Sequence, residues 1–134
     1  MQAVLRALDA LDLDGAMALF TAGGSLTTVF GERAAGRERV QSVLGSFLRG
    51  LRASHHEVRA EWNPEPGVWI AELSASYELS DFSRRGPYPR VMVLRGGDAG
   101  IEQLHIYGAH ELPLAEDGRP YTEVHAPHGW LPTL

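Results

Sequence analysis

The stretch LDALDLDGAMALF, residues 8–20, decides the fold class of this chain. It predicts the end of one short helix, a turn and the start of a second helix. Residues 2–11 carry apolar side chains at helical spacing, which is typical of a short amphipathic helix. Asp12 is expected to cap the second helix by accepting from free backbone N–H groups, and Asp14 lies in its first turn, where the helix dipole favours an anion. Capping accounts for both aspartates without a catalytic role.

The rest of the chain predicts one long helix and then a sheet. A short extended segment is expected over 25–30, a loop over 31–36, and a third helix over 37–51, where apolar residues recur with a helical period. From residue 54 the pattern changes to alternation, which predicts strands over 54–62, 68–79, 90–95 and 101–107. Helices followed by strands indicate an α+β fold, with three N-terminal helices packed on an antiparallel sheet.

Composition sets the class of protein. With 134 residues, of which 44% are hydrophobic, the chain suits one compact domain. Its net charge of −5 is modest, and no aromatic ladder accompanies its basic residues, so a nucleic-acid partner is not expected. The absence of cysteine excludes disulfides and cysteine nucleophiles. The N-terminus is unlike a signal peptide and no apolar run is long enough to cross a membrane, so we expect a cytoplasmic protein without a membrane partner.

Four motifs together resemble the nuclear transport factor 2-like superfamily, which includes ketosteroid isomerases and SnoaL-like cyclases. They are LDLDGAMALF at 11–20, GRE at 36–38, Pro89 at its distance from the turn at 98–101, and the strand 101–107 ending in tyrosine. The resemblance covers residues 1–114. It implies a cone-shaped pocket between the helices and a curved sheet, and a homodimer formed through the outer face of the sheet. Residues 115–134 are expected to form a C-terminal tail that packs on the domain or on a partner subunit.

The catalytic residues of this superfamily do not carry over. The resemblance places the tyrosine of ketosteroid isomerases near Val4, their general-base aspartate near Thr28 and their oxyanion-hole aspartate near Val91. The aspartate of cyclases and epoxide hydrolases matches Ile106, and a cyclase histidine matches Leu104. Proton transfer from a carbon acid needs a base and an electrophile with suitable pKa values. The sequence therefore lacks the usual pair.

The alternation also predicts which side chains line the pocket. His56 and Tyr77 are the polar members, and they could act as a general base and as a hydrogen-bond donor to an oxyanion. The alternative is a satisfied histidine at the rim and a core tyrosine, since no inward carboxylate is evident beside either. The tryptophans, in the same way, could fill the core or contact a ligand. The expected ligand-binding residues are Phe20, Thr28, Trp62, Trp69, Leu73, Val91, Val93, Leu104 and Ile106.

The six histidines do not predict a metal site. His55 and His56 are adjacent on a strand and point to opposite faces, so they cannot share an ion. The remaining histidines match no familiar zinc spacing, and no metal or cofactor is expected. His105 and Tyr107 should lie on the outer face, near the implied dimer interface.

Two hypotheses about function follow. The first is a SnoaL-like, non-catalytic binding or dimerisation module that holds a small apolar or aromatic molecule in its cone-shaped pocket, because the family's catalytic positions are apolar here. The second is an isomerase, cyclase or dehydratase that uses His56 and Tyr77 for acid–base chemistry. A carboxylate within hydrogen-bond reach of either side chain would favour the second.

Overall fold

The computed structural model describes residues 1–108, so the tail at 115–134 and His110, His125 and His128 lie outside the described residues. Helices pack against one face of a curved six-stranded sheet, which confirms the predicted α+β class. None of the helices in this part of the chain is long and apolar enough to span a bilayer. The elements are α1 (Gln2–Asp9), α2 (Leu13–Met17), β1 (Phe20–Thr27), β2 (Arg33–Ala35), α3 (Arg37–Arg49), β3 (Leu51–Glu65), β4 (Val68–Leu79), β5 (Arg84–Gly97) and β6 (Gly100–Gly108).

The helix starts follow the sequence. Asp12 has extended backbone dihedrals and caps α2, because its Oδ1 accepts from the backbone N–H of Gly15 at 2.9 Å. Asp14 lies in the first turn of this five-residue helix. The capping role predicted for Asp12 is confirmed.

The sheet has the order β2-β1-β6-β5-β4-β3. The neighbours are antiparallel, as predicted, except β1 and β6, which are parallel. The predicted strand at 25–30 lies earlier in the chain, at 20–27, and its pairing with β6 shifts in register between Phe20 and Ser25. A Cβ on Gly24 would lie 2.7 Å from the carbonyl oxygen of Ile101, so this close approach of two backbones requires glycine. The predicted loop at 31–36 contains β2.

The core lies between the helices and the inner face of the sheet. Each helix contributes its apolar side, and each long strand contributes alternate residues. The most completely buried side chains are those of Leu26, Val40, Leu73 and Met92.

The inner face of β5 differs from the predicted one. Arg90, Met92 and Leu94 are buried, so Val91 and Val93, which alternate with them, belong to the outer face. The inward orientation expected for both valines was wrong by one residue. Valine is apolar on either face, whereas the true inner face begins with a charged residue, and a pattern based on hydrophobicity assigns a charge to solvent.

Candidate functional site

A cavity of about 570 Å³ opens between α3 and the inner face of the sheet. Most of its wall is apolar. The lining residues come from the end of α1, from one side of α3 and from the inner face of the sheet. The apolar part includes Leu8, Leu26, Val43, Leu44, Phe47, Leu51, Met92 and Ile106. The polar part consists of Thr28, Glu32, His56, Tyr77, Arg85, Tyr88 and Arg90.

His56 is held by a carboxylate that the sequence analysis did not identify. Asp9, the last residue of α1, accepts from His56 Nδ1 at 2.6 Å and from the His56 backbone N–H at 3.0 Å. The Ser54 hydroxyl donates to the same carboxylate at 2.9 Å. The His56 side chain is only 1% exposed and that of Asp9 is 27% exposed. The expectation that no inward carboxylate lies beside His56 is therefore wrong.

The spacing along α1 contains the signal that would have found Asp9. Asp9 follows the buried Leu5 by four residues, so the two side chains lie on the same face of the helix. That face packs on the sheet, where α1 contacts β3. A polar residue at the end of the buried face of a helix is thus a candidate partner for a polar residue on the inner face of the sheet.

The carboxylate fixes the tautomer of His56. An ionised carboxylate can only accept, so His56 Nδ1 carries a hydrogen, and in the neutral imidazole the lone pair is on Nε2. Nε2 is then the ring nitrogen available to take a proton from a molecule in the cavity. This arrangement of a carboxylate, an oriented imidazole and a free nitrogen is suited to general-base catalysis.

Tyr77 lies next to His56 on the neighbouring strand. The two rings meet edge to face with centroids 6.0 Å apart, and Phe47 contacts Tyr77 in a T-shaped arrangement at 5.4 Å. Burial raises the pKa of the Tyr77 hydroxyl, although the neighbouring Arg90 guanidinium acts in the opposite direction. The hydroxyl therefore stays protonated at neutral pH and can donate a hydrogen bond.

Arg90 is a second candidate residue that was not expected in the cavity wall. It is only 6% exposed, and its guanidinium carbon lies 4.9 Å from the centre of the Tyr88 ring. Its Nη1 donates to the carbonyl oxygen of Pro89 at 3.3 Å. A positive charge is thus buried in the wall beside Tyr77. The register of β5 would have revealed it, had the inner face been assigned to the even-numbered residues.

The predicted site residues separate into three groups. Thr28, His56, Tyr77 and Ile106 line the cavity. Phe20, Leu73 and Leu104 are buried in the core and Trp69 packs against it, and none of the four lines the cavity. Trp62, Val91 and Val93 do not line it either, and Trp62 is 50% exposed at the far end of β3. The inward position expected for Trp62 is therefore wrong. Binding of a ligand by any of these residues stays a prediction.

The positions implied by the family resemblance divide in the same way. Val4 is buried in the core, whereas Thr28 lies in the cavity wall. The position near Val91 is occupied on the inner face by Arg90 and Met92. Within residues 1–108 no three side chains of the metal-binding types come together.

The fold recurs in solved structures of low sequence identity. A hypothetical protein with a ketosteroid isomerase-like fold from Catenulispora acidiphila, solved with trimethylamine, is 17% identical, with 89% of this chain and 92% of that chain covered and a TM-score of 0.73. An LEH-like epoxide hydrolase from M. tuberculosis is 18% identical, with 81% and 78% covered and a TM-score of 0.68. An NTF2-like protein of unknown function from Burkholderia pseudomallei is 10% identical, with 81% and 86% covered and a TM-score of 0.68.

No protein-family model and no curated protein matches the sequence. The structural similarities nevertheless establish the fold. This chain has the nuclear transport factor 2-like fold that the motifs at residues 11–20 and 36–38 predicted.

Proposed function

We propose that this protein is an acid–base enzyme that removes a proton from a carbon next to a carbonyl group of a small, mainly apolar substrate. The observation that carries the proposal is the 2.6 Å contact between Asp9 Oδ1 and His56 Nδ1 at the wall of the cavity. The contact leaves one imidazole nitrogen as a base, and the volume of the cavity is in the range of small-molecule sites.

The proposed step uses two side chains. His56 Nε2 takes the proton, the electron pair of the C–H bond forms a carbon–carbon double bond, and the π pair of the carbonyl group moves to its oxygen. The Tyr77 hydroxyl donates a hydrogen bond to that oxygen as negative charge develops on it. The imidazolium then returns a proton to the same or another carbon. Isomerisation, intramolecular aldol cyclisation and elimination of water can all begin with this enolate, so the step is proposed for the whole class.

Exchange of hydrogen for deuterium tests the proton removal directly, because it requires no knowledge of the product. The protein is incubated in D₂O with 2-tetralone and with small cyclic ketones, and loss of the proton signals next to the carbonyl is followed by NMR. We expect exchange above the buffer rate, and a decrease of about 100-fold or more in His56→Gln, in keeping with the usual contribution of a general base.

The neighbouring histidine supplies a matched control. His55 is exposed on the same strand and faces away from the cavity, so His55→Gln should leave the exchange rate unchanged. An equal rate in wild type and His56→Gln would contradict the proposal.

A second candidate is a binding protein without catalysis, favoured by the large apolar share of the cavity wall. This hypothesis predicts saturable binding of apolar aromatic molecules together with exchange no faster than in buffer. The same samples therefore distinguish the two functions.

A further inference from the structure

We infer that the ligand of this cavity carries a carboxylate, which pairs with Arg90 while an apolar or aromatic remainder contacts the rest of the wall. The inference rests on the proposed function only in taking the cavity as the ligand site. It adds a class of ligand and a residue that recognises it.

Arg90 carries a positive charge in a buried position of the cavity wall. A guanidinium remains protonated in proteins, and burying such a charge is costly unless an anion or several hydrogen bonds compensate it. Within residues 1–108 the ion pairs are Arg52 with Glu78 and Asp9 with His56, and neither includes Arg90. Its charge therefore has no carboxylate partner in the described part of the protein.

The groups that surround the Arg90 guanidinium in the described residues are neutral. The Tyr88 ring, the Pro89 carbonyl and the Tyr77 hydroxyl all lie close to the guanidinium. A cation–π contact and a carbonyl at 3.3 Å stabilise the cation in part. They do not neutralise it, and the planar fork of N–H groups is suited to an anion with two oxygens.

The described wall of the cavity contains charged residues of both signs. Two guanidinium groups, of Arg85 and Arg90, belong to the described lining. The carboxylate among these residues is that of Glu32, which is exposed to solvent. Asp9 does not line the cavity, and its oxygens accept from His56 and Ser54. The buried charge in the described wall is thus the guanidinium of Arg90, which lies beside an apolar space.

The chemistry of the ligand follows from this combination. One buried arginine can bind a carboxylate through two parallel hydrogen bonds. A phosphate dianion would call for more donors and more charge than a mainly apolar wall offers. The ligand expected is therefore a small apolar or aromatic acid, with its carboxylate beside Arg90 on β5.

A matched pair of probes tests this inference. 2-Naphthoate and 2-naphthamide have nearly the same shape and differ in charge, and calorimetric titration of the full chain measures both affinities. We expect naphthoate to bind about 10- to 100-fold more tightly, as charge-assisted hydrogen bonds typically allow. Equal affinities, or tighter binding of the amide, would overturn the inference, and this comparison needs no variant.

Variants then locate the anion site. Arg90→Gln should reduce the affinity for naphthoate to that for naphthamide, and Arg90→Lys should restore part of the difference. Arg95→Gln, which removes an exposed arginine from the same strand, is the control and should change neither affinity. A preference for naphthoate that persists in folded Arg90→Gln would place the anion elsewhere and contradict the assignment.

The result is separable from that of the exchange experiment. His56→Gln should still prefer naphthoate, because the base does not contact the carboxylate. Preference for the acid without any exchange would refute the proposed reaction alone, and exchange without preference for the acid would refute this inference alone.

Discussion

Asp9 is the residue that turns a common strand histidine into a candidate base. Its carboxylate accepts three hydrogen bonds, two of them from His56. Replacing the carboxylate by an amide allows His56 Nδ1 to be either protonated or unprotonated, because an amide can donate as well as accept a hydrogen bond. Asp9 therefore acts on the proposed reaction through the imidazole, as a positioning residue.

We predict that Asp9→Asn lowers the exchange rate of a responsive ketone by at least about 10-fold, since misorienting a catalytic base commonly has effects of this size. ¹⁵N NMR of the His56 ring supplies a second readout: hydrogen on Nδ1 in the wild type, and a mixture of tautomers in the variant. Asp14→Asn, at an exposed position in α2, is the control. An unchanged tautomer with an unchanged rate would show that Asp9 has no such role.

The raised pKa of Tyr77 makes the stability of the protein depend on pH in the alkaline range. Burial raises the pKa of its hydroxyl in the folded protein above the value of 10.0 for a free tyrosine. The folded state therefore retains a proton that the unfolded state releases, and stability is lost as pH rises through the folded pKa. Well below pH 10 the Tyr77 hydroxyl is protonated in both states, and its full contribution to stability is present.

The measurement is the free energy of unfolding by urea at several values from pH 8 to 11. Wild type should lose stability above pH 10 more steeply than Tyr77→Phe, which has no hydroxyl to ionise. Identical slopes in wild type and Tyr77→Phe would refute the coupling.

How far these residues could be predicted depends on the kind of signal each one gives. His56 and Tyr77 follow from the alternation of β3 and β4, because apolar neighbours on one face set the register. Asp9 requires knowledge that the end of α1 lies against β3, a contact between residues 47 positions apart in sequence. Arg90 contradicts the hydrophobic pattern altogether. Polar groups in the interior are the ones that a pattern of burial cannot place.

At the scale of elements, the short helix α2 depends on its cap. A helix of five residues has few internal hydrogen bonds, so the bond from the Gly15 N–H to Asp12 is a large part of its local stability. We predict that Asp12→Ala lowers the free energy of unfolding by about 1 kcal/mol. Asp12→Asn retains an acceptor and should lose much less. Urea unfolding of both variants checks this, and equal losses would contradict a capping role.

The strands divide into those that local sequence determines and those that distant contacts determine. β4 alternates without interruption over most of its length, and its predicted range, 68–79, is the observed one. β1 forms because Phe20 and the residues after Gly24 find partners on β6, and β2 then pairs with β1. Those partners are about 80 residues away, so neither the early start of β1 nor its parallel pairing is visible in local periodicity. Topology of this kind appears only when the whole sheet is assembled.

At the scale of the whole molecule, the outer face of the sheet carries a strip of apolar and aromatic residues that no element within residues 1–108 covers. Pairing in the sheet aligns Ile70 with Val93 and Val93 with His105 across three strands. One pair further along β5, Val91 lies beside Tyr107, whose ring stacks on that of His105 at 3.9 Å. Val91 and Val93, which were expected in the pocket, therefore form part of this outer strip.

We predict that the protein is a homodimer whose interface is this strip. Contiguous apolar surface on a sheet is typical of association surfaces. Sedimentation velocity at micromolar concentration should give the mass of two chains. Val93→Glu should shift the equilibrium towards one chain, because it places a carboxylate at the centre of the interface, where two copies would bring like charges together.

Gln41→Glu is the matched control, since it adds the same charge at an exposed position of α3, on the opposite side of the molecule from the strip. It should leave the mass of two chains unchanged. Val93 does not line the cavity, so monomeric Val93→Glu should also retain the affinity for naphthoate if each subunit holds a complete site. A monomeric wild type would refute the dimer, and a dimer unaffected by Val93→Glu would place its interface on another surface.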